Sequence, residues 1–280
     1  MKNPIIAHYL VETPHAVEFA AETIAGEQSS GTFVAVPGET PELKARARAR
    51  VTAIEQLECV DQPSLPGSRP PAGHTGPVKY HRARITIEFP FDNIGTNLAT
   101  LLATICGNLY ELKELSAVKL LDVQLPAEFA ARYSGPTFGI AGTRRLCGVA
   151  DRPLIGTIVK PSVGLSPAQT AELVRTLGEA GIDFIKDDEL QADSPHSPFV
   201  ERVAAVMRVI NPLADRTGRK VMYAFNLTDD YEAMRRHHDV VLAAGGTCVM
   251  ASLHSVGFAA LAEFRRHCQL PIHGHRNGWG

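Results

Sequence analysis

The strongest constraint on the fold is a pattern in the second half of the chain, where an apolar segment ending in a polar group recurs five times, at 155–160, 182–186, 220–227, 247–253 and 271–276. In the first of these, Ile155, Thr157 and Val159 alternate with Gly156, Ile158 and Lys160. Both faces are largely apolar, as in a parallel strand covered on both sides. Pro161 stops this strand, and Ser166-Pro167 then offers an N-cap with proline at the first helical position. Ala171, Leu173, Val174 and Leu177 give the helix that follows an apolar stripe. Strands alternating with helices in this way form a parallel sheet with right-handed crossovers. Polar residues gather at the C-terminal strand ends: Lys160, Lys186 with Asp188 and Glu189, Asn226, and His273 with His275 and Arg276. A (β/α)8 barrel builds its active site there. A doubly wound sheet also places ligands at strand C-termini, but no Gly-x-Gly-x-x-Gly phosphate loop is present.

Residues 182–189 carry the densest chemistry, an apolar strand running into Lys186, Asp187, Asp188 and Glu189. Side chains two apart on a strand share a face, so Lys186 and Asp188 are expected to project together, with Glu189 following in the loop. In isolation, such a charged group after a strand is most often a solvated turn. As a metal site it suits Mg²⁺ through its hard carboxylate oxygens, but a protonated lysine would repel the ion. If burial and neighbouring cations lower the pKa of the lysine, its neutral amine can add CO2 and become a carbamate, an anionic oxygen ligand. His273 and His275 share a strand face and offer a less favoured transition-metal alternative.

These segments resemble the large subunit of RuBisCO and, more closely, the RuBisCO-like proteins. The resemblance rests on five motifs in order: 27–33 with a family substrate loop, 104–110 with the segment carrying a catalytic asparagine, 156–166 with the strand-one lysine motif, 181–189 with the carbamylated-lysine motif, and 273–276 with a His-x-His-Arg motif. It implies Lys186 as the carbamylated ligand, with Asp188 and Glu189 as carboxylate ligands of Mg²⁺. It also implies Lys160 and His275 as acid–base groups, Arg276 as a phosphate anchor, and His273, Thr32 and Phe33 beside the substrate. Glu27 and Asn108 would enter the site of a partner subunit, making the active unit a homodimer or higher oligomer with shared sites.

The chain departs from carboxylases at Ser162, where they carry a second lysine, and at Phe33, where they carry tryptophan. Losing a charged group from one acid–base step costs orders of magnitude in rate. The expectation is therefore a Mg²⁺-dependent enzyme that enolises a phosphorylated ketose or keto sugar acid. It would act as an isomerase, tautomerase or decarboxylase in sugar, sugar-acid or methylthio-sugar catabolism. The alternatives are a ribulose-bisphosphate carboxylase or a non-catalytic binding relative.

The first half reads as a separate α+β domain of ferredoxin-like order, 1–145, followed by the start of a barrel at 146–280. Strands are expected at 5–12, 32–36, 50–58, 82–89 and 117–125, with helices at 14–25 and 93–108. A Pro/Gly/Ser-rich connection spans 61–77. Five βα units where a barrel has eight suggest part of a longer chain. The basic run 44–50 reads as a solvated helix face, and His237 with His238 as exposed helix residues. A net charge of −2 gives no electrostatic footprint for nucleic acid or anionic membrane. No apolar run is long enough to span a bilayer. Cys59, Cys106, Cys147, Cys248 and Cys268 lack metal spacing, which fits a reducing cytoplasm.

Overall fold

The computed structural model describes residues 3–31, 37–65, 71–72 and 74–278, which fall into two compact units, 1–133 and 134–280. The strand expected at 32–36, with Thr32 and Phe33, lies outside the described residues.

The first unit runs β1 (Ile5–Thr13), α1 (Val17–Glu27), α2 (Pro41–Ala47), β2 (Arg50–Val60), β3 (Tyr80–Phe89), α3 (Phe91–Ile94), α4 (Leu98–Cys106), a 3-10 turn (Asn108–Glu111), β4 (Ala117–Gln124) and α5 (Ala127–Ala130). Its sheet has the order β2-β3-β1-β4 with every neighbouring pair antiparallel, the split βαβ arrangement of a ferredoxin-like sandwich. Period-two burial explains it. Ile5, Ala7, Tyr9 and Val11 of β1 and Ala83, Ile85, Ile87 and Phe89 of β3 face one core with Ile24 of α1 and Leu101 and Ile105 of α4. The helix expected over 93–108 is broken at Gly95, whose φ of 60° suits glycine, and restarts where Asn97 accepts from the Thr100 N–H at 3.0 Å. The basic run divides between α2 and β2, with Arg48 bound to Glu22 at 2.8 Å.

The second unit runs α6 (Gly139–Cys147), β5 (Gly156–Ile158), α7 (Pro167–Glu179), β6 (Phe184–Lys186), α8 (Phe199–Thr217), β7 (Met222–Asn226), α9 (Tyr231–Ala243), β8 (Cys248–Ser252), α10 (Leu253–Val256), α11 (Phe258–His267) and β9 (Ile272–His275). Its five strands are parallel and neighbour one another in chain order. A doubly wound sheet would reverse that order at a switch point. Alternate strand residues Ile185, Tyr223, Phe225, Val249 and Ala251 pack on the helices with Val174, Val206, Ile210, Met234 and Phe264. The opposite face packs Phe184, Met222, Ala224, Cys248 and Met250 against Leu146 and Cys147. That packing draws α6 into this unit, so the boundary falls at Tyr133/Ser134 instead of the expected 145/146. As the sequence leads one to expect, Ser166 caps α7 ahead of Pro167, and Gln169 completes a capping box.

His237 and His238 depart from expectation, because both are buried. His237 stacks on Phe199 with ring centroids 4.3 Å apart, and His238 accepts from the Gln269 N–H at 3.0 Å while its Nδ1 faces Asp239 at 2.8 Å. Among the described residues, no helix is long and apolar enough to cross a membrane.

Candidate active site

Strand register builds the site. Ile158 pairs with Lys186, Lys186 with Ala224, Asn226 with Met250, Met250 with His273, and Ser252 with His275. Because successive strand residues alternate, Lys186, Asn226, His273 and His275 all project from the face opposite α7, α8, α9 and α11.

Lys160, just beyond β5, donates from Nζ to Asp188 Oδ2 at 2.6 Å and to Ser162 Oγ at 2.9 Å. Burial alone would raise the Asp188 carboxyl, but the Lys160 ammonium and the Leu190 N–H overcome it and hold this acid below the usual carboxylate range. The same hydrogen bond raises the pKa of Lys160. Lys186 keeps only 13% of its side chain exposed, donates to the Asp187 carbonyl at 3.1 Å and lies 3.6 Å from Glu189 Oε2. His275 Nε2 approaches the same oxygen at 3.5 Å. Its Nδ1 accepts from the Asn277 N–H at 3.2 Å, so in the neutral ring the proton resides on Nε2, facing Glu189. Burial, then Lys186 and His275, depress the pKa of His273 and keep it neutral near pH 7.

The structure thus pairs Lys186 with Glu189 and Lys160 with Asp188, where the sequence led only to Lys186 and Asp188 sharing a face. Glu189 Oε2 is buried and makes no hydrogen bond among the described residues, with Lys186 and His275 standing off at 3.6 and 3.5 Å. A buried carboxylate oxygen in that condition, beside a second carboxylate, fits a cation. The amine of Lys186 is the one donor out of keeping with a hard ion, and carbamylation would turn it into an oxygen ligand. His273 and His275, the transition-metal alternative, have ring centroids 6.5 Å apart. Among the described residues, His238–Asp239–His267 and Asp193–Asp229–His237 bring possible ligand atoms within 4.8 Å of one another.

Arg276 is exposed beyond the end of β9. Glu27 and Asn108 belong to the first unit, where they close α1 and open the 3-10 turn. With its amide oriented to satisfy both groups, Gln28 joins these elements, donating to the Thr104 carbonyl at 2.8 Å and accepting from the Leu109 N–H at 3.0 Å.

The model of the ribulose bisphosphate carboxylase large chain, catalytic domain, matches residues 139–280, and that of its N-terminal domain matches 1–129. The chain belongs to the RuBisCO large-chain family. A 3-oxo-isoapionate-4-phosphate transcarboxylase/hydrolase of Xanthobacter autotrophicus is 54% identical over 280 residues, all of this chain and 66% of that protein. A 3-oxo-isoapionate-4-phosphate decarboxylase of Rhizobium etli is 48% identical over 272 residues, 97% of this chain and 64% of that protein. The crystal structure of a RuBisCO-like protein from Burkholderia fungorum superposes with a TM-score of 0.89 at 50% identity, covering 100% of this chain and 66% of that one. The chain therefore spans just under two thirds of the length of these relatives.

Behind this cluster of strand-end charges lies a buried group that sequence reasoning missed. Asp187 is fully buried and accepts from Arg202 at 3.3 Å, the Tyr223 hydroxyl at 2.5 Å and the Asn226 N–H at 2.9 Å. Burial pushes its carboxyl up against the pull of these donors. The sequence signal was the strand period itself, which turns Asp187 away from Lys186 and toward α8, where it needs a partner.

Proposed function

We propose that the full-length protein is a Mg²⁺-dependent decarboxylase of a phosphorylated 3-oxo sugar acid, working through an enolate. The observation that carries this reading is the pairing of two carboxylates with two amines at the strand ends, with Glu189 Oε2 buried, without a hydrogen bond among the described residues and flanked by Lys186 and His275. The five sequential strands are read as part of a (β/α)8 barrel, with this site at its C-terminal mouth. The carbamate of Lys186, Asp188 and Glu189 would hold Mg²⁺, which supplies Lewis-acid polarisation of the substrate oxo group. Two relatives whose names specify chemistry on 3-oxo-isoapionate 4-phosphate support the substrate class.

In a 3-oxo acid the bond from the α-carbon to the carboxylate breaks, CO2 leaves, and the electron pair flows into the oxo group as an enolate. The α-carbon then takes a proton. Lys160 is assigned to deliver it, a role supported by its hydrogen bond to Asp188, which raises its pKa and favours the protonated amine. The Nε2–H of His275 points into the same site and serves the developing oxyanion as a hydrogen-bond donor. Arg276, exposed past β9, is assigned the phosphate. Ser162 accepts from Lys160 where carboxylases carry a second cation, which fits loss of CO2 better than its capture. Glu27 and Asn108 are assigned to the active site of a partner subunit in a homodimer or larger assembly, and the protein to the cytoplasm.

The test is CO2 release from a phosphorylated 3-oxo sugar acid by the full-length protein in D2O, with and without Mg²⁺ and with a chelator. Metal-dependent release with one deuterium at the former α-carbon is expected. Release that is indifferent to the chelator, or none at all across such acids, overturns the reading.

A further inference from the structure

We infer that Asn226 is a positioning residue for the Asp188–Glu189 pair, acting through their backbone carbonyls. This rests on the metal-site reading above for its consequence, but on geometry for its substance. Asn226 closes β7 and is fully buried. Its Nδ2 donates to the carbonyl of Asp188 at 3.2 Å and to that of Glu189 at 3.2 Å. Its Oδ1 accepts from the Thr228 N–H at 3.2 Å and from Thr228 Oγ1 at 2.7 Å. Thr228 Oγ1 in turn accepts from the Ser252 N–H of β8 at 2.9 Å.

The Ser252 N–H can only donate, so the hydroxyl of Thr228 must spend its own proton on Asn226. That fixes the oxygen of the carboxamide toward Thr228 and its nitrogen toward the two carbonyls. Every group on the amide is used, and the residue links three neighbouring segments: the turn after β6 through Asp188 and Glu189, β7 through its own backbone, and β8 through the bond from Ser252 to Thr228. The backbone N–H of Asn226 also donates to Asp187, which Arg202 and Tyr223 hold from the helix side. The turn at 187–189 is therefore gripped on both faces, by a carboxylate toward the helices and by an amide toward the site. β6 ends at Lys186, so no strand pairing fixes Asp188 and Glu189. Asn226 replaces that pairing with two side-chain hydrogen bonds.

An aspartate has the same shape but sets an oxygen against two carbonyls, so Asn226→Asp is the diagnostic variant. Thr228→Val, which removes the hydroxyl that orients the amide together with the acceptor of the Ser252 N–H but leaves the amide itself in place, is the second variant. Both are compared with the full-length wild type in two measurements: Mn²⁺ titration followed by electron paramagnetic resonance in bicarbonate buffer, and amide hydrogen exchange across 186–191. Asn226→Asp is expected to weaken Mn²⁺ about tenfold, the usual scale for groups that orient metal ligands. It should also speed exchange at 187–190 with little change elsewhere, and Thr228→Val should do the same to a smaller degree. A merely structural role would lower the melting temperature while leaving Mn²⁺ affinity and the exchange at 187–190 as in the wild type, and that result overturns the inference. If the wild type binds no Mn²⁺, the metal reading falls, and the exchange measurement alone decides whether Asn226 holds the turn. Should Asn226→Asp fail to fold, Thr228→Val decides the question by the same two measurements.

Discussion

At the scale of single residues, the chemistry turns on which cation faces which carboxylate. Lys160 and Asp188 form a close pair at 2.6 Å, whereas Lys186 and Glu189 stand 3.6 Å apart with the glutamate oxygen unsatisfied. The second pair is the looser one and the natural place for a group to enter. Lys186→Ala is expected to abolish Mg²⁺ binding and turnover together, as measured by metal titration and CO2 release; an active variant would refute the carbamate role. His275→Asn removes the Nε2 proton donor, and kcat should fall by about 10²-fold with KM changing far less, since the lost bond strengthens as charge develops. Lys160→Met should lower kcat and also raise the pKa of Asp188, because its principal donor is gone. Most of these residues were legible in the sequence, since lysine, histidine and paired acids at strand ends are conspicuous. Asn226 was legible only as a polar strand end, because an amide announces neither its partners nor its orientation.

At the scale of elements, the two ends of the parallel strands do different work. Asp183, just before β6, is fully buried and bound by Arg152 at 2.5 Å, Arg219 at 2.5 Å and the Ile155 N–H at 2.9 Å, which ties β6 to the chain on either side of it. The Arg152 hydrogen bonds lead in lowering its carboxyl to about 2. A carboxyl depressed in the folded state stabilises fully above its unfolded pKa of about 3.9 and loses that contribution as pH falls toward 2. Urea midpoints should therefore drop between about pH 4 and pH 2, and Asp183→Asn should flatten that drop. At pH 7 the same substitution should cost about 1–3 kcal/mol, less than for a sealed ion pair because both arginines can reach water. Catalysis by the folded enzyme should survive it, since these contacts sit at the strand end away from Lys186. The helix at 93–108 shows the opposite case, in which a pattern apolar enough for one helix was split by Gly95 and recapped by Asn97. Local conformation outweighed periodicity there.

At the scale of the whole molecule, two units with separate cores carry separate acid sensitivities. Glu12 of β1 is buried in the first unit; burial works to raise its carboxyl, but the Ser64 hydroxyl and N–H, Arg82 and Ser116 outweigh it and hold it below the usual range. By the same sign rule, its stabilisation is present above the ordinary glutamate pKa and disappears as pH falls through the lowered one. Glu12→Gln should make the first unit less stable near neutrality and less responsive to acid, read by hydrogen exchange in β1 and β4 at pH 5 and pH 3. An unchanged profile would mean the serine and arginine donors find water instead.

The amino-acid sequence by itself determined the two-part organisation, the parallel βα series and the identity of the charged groups at its strand ends. Those follow from periodicity and residue type, which are local. Only the tertiary structure decided that Asp188 meets Lys160, that Glu189 is left between Lys186 and His275, that His237 and His238 are buried, and that Asp187 and Asn226 hold the turn between them. Each of these depends on a partner from another strand or helix, at a distance fixed by how the sheet packs, and no spacing along the chain encodes that distance.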